Sequence, residues 1–173
     1  DSWYEWEAIQ GSSGADVIKT NSWGYDISLF GMGGNDTLAT GNSNDTLDGG
    51  DGNDWLDADG GDDYLFGGAD DDVLLIGPGA DWMDGGPGRD VMLFTKPMVA
   101  NWQAGILDAD IVGDSWFDWE VIQGSSGADV IKTNSWGFDV ELRGKGGADV
   151  LATGDGNDTI LPGTFNDFAD GGA

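Results

Sequence analysis

GMGGNDTLATGNSNDTLDGGDGNDWLDADGGDDYLFGGADDDVLLIGPGADWMDGGPGRDVML, residues 31 to 93, carries a period of nine. Asp36, Asp45, Asp54, Asp63, Asp72, Asp81 and Asp90 follow one another at intervals of nine without a slip. Around them GGDGNDWLD (49 to 57) and GGPGRDVML (85 to 93) read G-G-x-G-x-D-x-U-x, with U a large apolar residue, and the other copies keep the pattern with one or more Gly replaced. Six residues rich in Gly and Asp make a tight turn where positive φ is cheap, and the remaining three make a short strand with U pointing inward. Two nonapeptides close one coil of 18 residues, and successive coils stack as parallel strands about 4.8 Å apart. Leu38, Leu47, Leu56, Leu65, Leu74, Met83 and Met92 occupy U and form the expected inner ladder.

A second, longer period surrounds the first. Displacing the chain by 113 residues lays the stretch from Asp1 on that from Asp114 with 35 of 50 positions identical. The nine-residue series then resumes at Asp149, Asp158 and Asp167, and Asp16 and Asp129 sit in a looser copy, GSSGADVIK. The expected organisation is a first block over 1–93, with a leader strand over 1–10 and repeats over 11–93, then a connector over 94–113 and an incomplete second block over 114–173. Such a chain reads as a piece of something longer. The connector contains Pro97 and no Asp period, and it is expected to cover the open end of the first roll, because an exposed parallel edge invites aggregation.

Composition agrees with coils and excludes much else. The 173 residues hold 33 Asp plus Glu against 6 Lys plus Arg, a formal net charge of −27, which makes nucleic acid a poor partner. Asp and Gly disfavour helix and favour turns, so a helical bundle is excluded. The apolar content of 39% argues against plain disorder. With no Cys and no His, neither thiol nor imidazole chemistry nor a common zinc site is available. No apolar run is long enough to span a membrane, and no basic, apolar leader opens the chain.

The nonapeptide series resembles the RTX, or haemolysin-type calcium-binding, repeat, well over 31–93 and 144–173 and partly over 11–19 and 124–132. The run from Ala100 to Gly127 looks like the segment that often leads into such repeats in large secreted RTX proteins. The resemblance implies an all-β parallel β-roll, a β-solenoid, that binds calcium through the Asp of each turn and through carbonyls of the first four turn residues. Those would be Gly31, Gly33 and Gly34; Gly49, Gly50, Asp51 and Gly52; Gly67, Gly68 and Ala69; Gly85, Gly86, Pro87 and Gly88; and Gly144, Gly146 and Gly147.

In such a roll Asp36, Asp54, Asp72 and Asp90 line one edge, and Asp45, Asp63 and Asp81 the other. Carboxylates about 5 Å apart repel by roughly 1 kcal/mol in water and by several at an effective dielectric near 20. A hard dication between turns reverses the sign, and calcium accepts six to eight oxygens in flexible geometry where magnesium demands a near-ideal octahedron. Pairing neighbouring turns gives at least five ions in the first block and at least one in the second. Asp16 with Asp36, Asp129 with Asp149, and Asp149 with Asp167 are further pairs. The turn in which Asp70 replaces the fourth Gly is expected to be strained. The single-layer core is too thin to offset the ordering entropy of so Gly-rich a chain, so folding is expected to depend on calcium.

Residues 20–30 and 133–143 carry an extra residue and lack the turn pattern; alternation around Val140 and Leu142 reads as a longer strand that leaves Asp26 and Asp139 outward. Asp57 to Gly60 suggests an EF-hand loop only until Gly68 is found where its bidentate Glu belongs. Neighbouring acids such as Asp62 and Asp63 lack the groove a glycosidase needs, so no enzyme is expected. Trp55, Tyr64 and Trp82 precede U and project from the outer faces, either covered by DSWYEWE and its copy or offering a platform to a surface glycan or partner. The favoured role is a structural, calcium-rigidified repeat of a secreted bacterial surface protein, of adhesin, surface-layer or filament type, able to self-associate. The alternative is the calcium-dependent folding and export module of a secreted RTX enzyme or toxin.

Overall fold

The structure, a computed structural model, describes residues 8–20, 24–94, 99–101, 106–107, 115–117, 120–133 and 139–172. The first block supplies β1 (Ala8–Gln10), β2 (Val17–Lys19), β3 (Ser28–Gly33), β4 (Thr37–Ala39), β5 (Thr46–Asp51), β6 (Trp55–Asp57), β7 (Tyr64–Ala69), β8 (Val73–Ile76), β9 (Trp82–Asp84) and β10 (Val91–Phe94). The connector adds β11 (Val99–Asn101) and β12 (Ile106–Leu107). The second block gives β13 (Ser115–Phe117), β14 (Val121–Gln123), β15 (Val130–Lys132), β16 (Glu141–Arg143), β17 (Val150–Ala152), β18 (Thr159–Leu161) and β19 (Phe168–Asp170).

Successive strands alternate between two faces of a solenoid, as a nine-residue half-coil requires. Odd strands β1, β3, β5, β7, β9 and β13 form one parallel sheet, and β2, β4, β6, β8, β10, β14, β16 and β18 form a second. A third contains β12, β11, β15, β17 and β19, parallel except where β12 meets β11. The expected all-β parallel roll is what forms. Among the described residues no helix is long and apolar enough to cross a membrane.

The U residues stack in register, Leu38 on Leu56 on Leu74 on Met92 and Leu47 on Leu65 on Met83, and none of them is more than 1% exposed. Leu29 extends the ladder of the first sheet, and Ile122, Ile131, Leu142 and Leu151 carry the core into the second block. The strands of the two faces differ in length. Three-residue strands hold for β4 and β6, but β3, β5 and β7 run six residues, because their pairing continues into the turn through Met32 with Gly50 and Gly50 with Gly68. At the irregular segment the single extra residue read from sequence is in fact two: Asp16 bonds Asp36 across 20 residues, where Asp36 bonds Asp54 across 18.

The blocks join without a break in the second sheet, β10 pairing with β14 through Met92 and Ile122. The free edge of β9 is taken by β13. Cover for the end of the first roll therefore comes from β13 and β14, whereas the connector's β11 pairs with β15. Between β1 and its copy β14 the chain makes an odd number of half-coils, β1 to β10 and then β13. Equivalent segments consequently fall on opposite faces: β1 lies in the first sheet and β14 in the second, β4 in the second and its copy β17 in the third. The second block is the first turned by half a coil. The leader residues 1–7 and residues 114, 118 and 119 of the copy over 114–120, expected as cover for the aromatics, lie outside the described residues.

Candidate metal centre

Among the described residues six turns reverse the chain through positive φ at both their second and fourth positions, as at Gly50 (102°) with Gly52 (119°) and Gly68 (114°) with Asp70 (78°). Asp70 is thus held in the left-handed region, the strain foreseen for it, and Met32 (84°), Asp59 (60°), Lys145 (71°) and Phe165 (93°) share it. Each such residue costs about 1–3 kcal/mol and persists because the surrounding coils impose it.

The turn places the sixth residue under the next coil, and a ladder results. The amide of Asp36 donates to Asp54 Oδ1 at 2.7 Å, that of Asp54 to Asp72 at 2.8 Å and that of Asp72 to Asp90 at 2.9 Å. On the other edge Ile27 donates to Asp45, Asp45 to Asp63 and Asp63 to Asp81, at 2.8–3.0 Å. The second block repeats this in Asp129 to Asp149, Asp149 to Asp167 and Val140 to Asp158. One oxygen of each carboxylate is thereby satisfied. The other, Oδ2, is buried without any hydrogen-bond partner at Asp36, Asp45, Asp54, Asp63, Asp72, Asp90, Asp149 and Asp158. A buried ionised oxygen with no partner is expensive unless a cation meets it.

The space beside those oxygens is kept open by the first residue of the turn. A Cβ on Gly49 would stand 2.5 Å from the Gly67 carbonyl oxygen and closer still to Asp54 Oδ2; Gly31, Gly67 and Gly144 stand likewise between the Oδ2 of Asp36, Asp72 and Asp149 and the carbonyls of Gly49, Gly85 and Pro162. Gly34, Gly50, Gly52, Gly68, Gly86, Gly88 and Gly147 instead lie against the backbone of the preceding coil, again with no room for a Cβ. The carbonyls of Asp51, Ala69 and Pro87 accept from the amides of Gly34, Gly52 and Asp70 at 2.8–2.9 Å. Gly33 donates to Ser12, and Gly146 forms an isolated bridge to Thr164. Among the described residues no three acidic side chains converge. A cation beside these oxygens would find carboxylate and backbone carbonyl oxygens, a hard all-oxygen set that suits calcium.

The family model of the RTX calcium-binding nonapeptide repeat (4 copies) matches residues 28–56, 40–74, 57–92, 118–135 and 141–173. The chain belongs to the RTX calcium-binding repeat family. Among curated proteins, no sequence matches this chain. RTX nonapeptides bind calcium, and the buried, unpartnered Oδ2 atoms with their open glycine seats fit that ion on physical grounds of their own.

Burial raises the RTX carboxyls far above the usual 3.8: Asp63 to about 8, Asp72 to about 7, and Asp54, Asp81 and Asp90 to about 6. Desolvation is the largest cause in each, opposed by the amide of the preceding coil; at Asp54, Asp63 and Asp72 it is reinforced by neighbouring Asp of the same column. Asp45 and Asp149 are raised for the same reason.

The two edges are not alike. In the first block the first turn position is Gly on one edge (Gly31, Gly49, Gly67, Gly85) and Thr40, Ala58 and Ile76 on the other. The Thr40 hydroxyl donates to the Ala58 carbonyl at 3.3 Å. Several participants escaped sequence reading. Glu120 takes the Asp place at the junction of the blocks, its Oε2 accepting from the Asp90 amide at 2.9 Å. A second ladder, of opposite sense, runs through the fifth turn residues: Asn53 donates to Asn35, Asp62 to Asn44, Ala80 to Asp62 and Arg89 to Asp71. Asp26 and Asp139, exposed as expected, accept from Asn44 and Asn157 in the same way. At Asp16 and Asp129 Ser12 and Ser125 donate to Oδ2, whereas at Asp45 the Thr40 hydroxyl and the Gly41 amide oppose the rise of the carboxyl's pKa while Oδ2 is left without a hydrogen bond.

Proposed function

We propose that this chain is a calcium-rigidified structural repeat of a secreted bacterial surface protein, disordered without the ion and a stiff rod with it. The observation that carries the reading is the second sheet, which runs from β2 to β18 through both copies of the 113-residue unit without interruption. Copies that continue one another's sheet can extend a rod indefinitely, as an adhesin stalk, surface layer or filament would need. A folding module at the end of a secreted enzyme has no use for that continuity. The calcium dependence rests on the buried Oδ2 atoms and on a core one side chain thick.

The ions would sit beside Asp36, Asp54, Asp72 and Asp90 on one edge and Asp45, Asp63 and Asp81 on the other, with Asp149, Asp158 and Asp167 continuing into the second block. Calcium at extracellular, millimolar concentration would convert a chain exported unfolded into the roll. Titrating calcium while recording far-UV circular dichroism and hydrodynamic radius tests this. The expected course is a cooperative gain of β structure with contraction; a chain already folded in excess chelator at pH 8 contradicts it.

A further inference from the structure

Two turns, GSSGAD at 11–16 and at 124–129, depart from the rest in the polarity of what surrounds the carboxylate. Their second residue is Ser in place of Gly, and neither Ser12 nor Ser125 is among the residues with positive φ. In both turns the serine amide points at the aspartate of its own turn. Ser12 donates to Asp16 Oδ2 through its amide at 2.6 Å and its hydroxyl at 2.9 Å. Ser125 donates to Asp129 Oδ2 through its amide at 2.9 Å, and its hydroxyl reaches both carboxylate oxygens at 3.3 Å. The amides of Gly14 and Gly127 donate in turn to the two serine hydroxyls, at 3.2 and 3.0 Å. Ser12 is exposed and Ser125 is buried, so the arrangement belongs to the motif and not to its surroundings.

The glycine seat survives in both turns: a Cβ on Gly11 would lie 2.7 Å from Asp16 Oδ2 and from the Gly31 carbonyl, and one on Gly124 would lie 2.6 Å from Asp129 Oδ2. What differs is the charge facing it. An N–H and an O–H present positive hydrogens to the oxygen that a cation would otherwise neutralise. Donor and cation compete for the same lone pairs and repel one another.

We infer that Ser12 and Ser125 are the residues that make these two turns calcium-free, so that each block opens with a coil closed by hydrogen bonds in place of metal. This rests on the calcium reading of the other turns. It withdraws the ions expected between Asp16 and Asp36 and between Asp129 and Asp149. Ser12→Gly turns the first motif into GGSGAD, a full match to the G-G-x-G-x-D turn, with access to the positive φ that removes the amide from the carboxylate.

The test is the number of ions bound by the full 173-residue chain in calcium chloride, by native mass spectrometry, with calcium-edge anomalous diffraction of the unsubstituted chain as a check free of folding effects. Asp54→Asn is expected to lose at least one ion, Asp16→Asn with Asp129→Asn to lose none, and Ser12→Gly with Ser125→Gly to gain two. No anomalous peak is expected beside Asp16 or Asp129. Loss of ions in the Asp16 and Asp129 variant, peaks at those two residues, or no gain in the glycine variant overturns the inference while leaving the other sites standing. No calcium at all on the unsubstituted chain removes the calcium reading and this inference with it.

Discussion

Gly49→Ala separates the metal seat from ordinary stacking. The added Cβ would stand 2.5 Å from the Gly67 carbonyl oxygen and 2.9 Å from Asp54 Cβ, with Asp54 Oδ2 nearer still. The carbonyl must recede by about 0.5 Å to reach the 3.0 Å below which real Cβ contacts essentially do not occur, and backbone on both sides is held in a ladder. Overpacking of this kind costs about 1–3 kcal/mol. At about 2–4 °C per kcal/mol for a chain of this size, the calcium-bound Tm falls by about 2–12 °C, and the ion beside Asp54 is lost. The control is Gly33→Ala, where the nearest atom, the Asp51 carbonyl oxygen, is 3.8 Å away and φ is not positive. It should change stability by less than about 0.5 kcal/mol. Thermal unfolding in saturating calcium and an ion count on both variants provide the measurement. Equal stability and equal ion number for the two would refute the reasoning that the first-position glycine keeps open a seat.

Four further outcomes are expected. Because the folded-state pKa values of Asp63, Asp72, Asp54, Asp81 and Asp90 lie at about 6 to 8, above the ordinary 3.8, the metal-free roll has their contribution in full below about pH 4 and loses it as pH rises through 6 to 8. Circular dichroism in chelator should therefore show β structure gained on acidification from pH 8 to pH 4, while calcium affinity weakens over the same interval as protons compete. Asp63→Asn keeps an acceptor for the Asp45 amide but removes a buried charge; it should raise the β content of the chelated chain at a given pH and lower the calcium-bound Tm, and a calcium-bound Tm that rises would count against a cation at that turn. Glu120→Ala strands the Asp90 amide at the junction of the blocks, at about 1–3 kcal/mol, and should speed proteolysis between the blocks, with Glu120→Gln, which retains an acceptor, closer to the unsubstituted chain. Trp82, packed on Phe66 at 5.0 Å and Tyr64 at 6.3 Å between ring centroids, should lower the calcium-bound Tm on replacement by Ala; an unchanged Tm with lost glycan adhesion would assign the rings to binding.

The roll is legible in the sequence because one physical requirement, a carboxylate under every coil and an apolar residue two places later, repeats without a slip from Asp36 to Met92. The ladder of Leu38, Leu56 and Leu74 and the outward Tyr64 and Trp82 follow from that register. The half-coil offset between blocks is not legible, since it depends on the connector giving its β11 to the third sheet and leaving β13 to continue the first, and no local pattern distinguishes those choices. Glu120 was within reach: Glu-Val-Ile at 120–122 stands in the register of Asp-x-U, one methylene longer. The role of Ser12 and Ser125 was not, because a serine in a Gly-rich turn reads as a mild replacement until the backbone shows which way its amide points.

The most direct test is an anomalous difference map, recorded near the calcium edge, from crystals of the whole chain grown in calcium. Peaks should lie beside the Oδ2 atoms of Asp36, Asp54 and Asp72, each also in reach of the carbonyl of the next coil, Gly49, Gly67 or Gly85. A roll of the same register whose glycine seats hold only water, with those carboxylates protonated, would contradict the account.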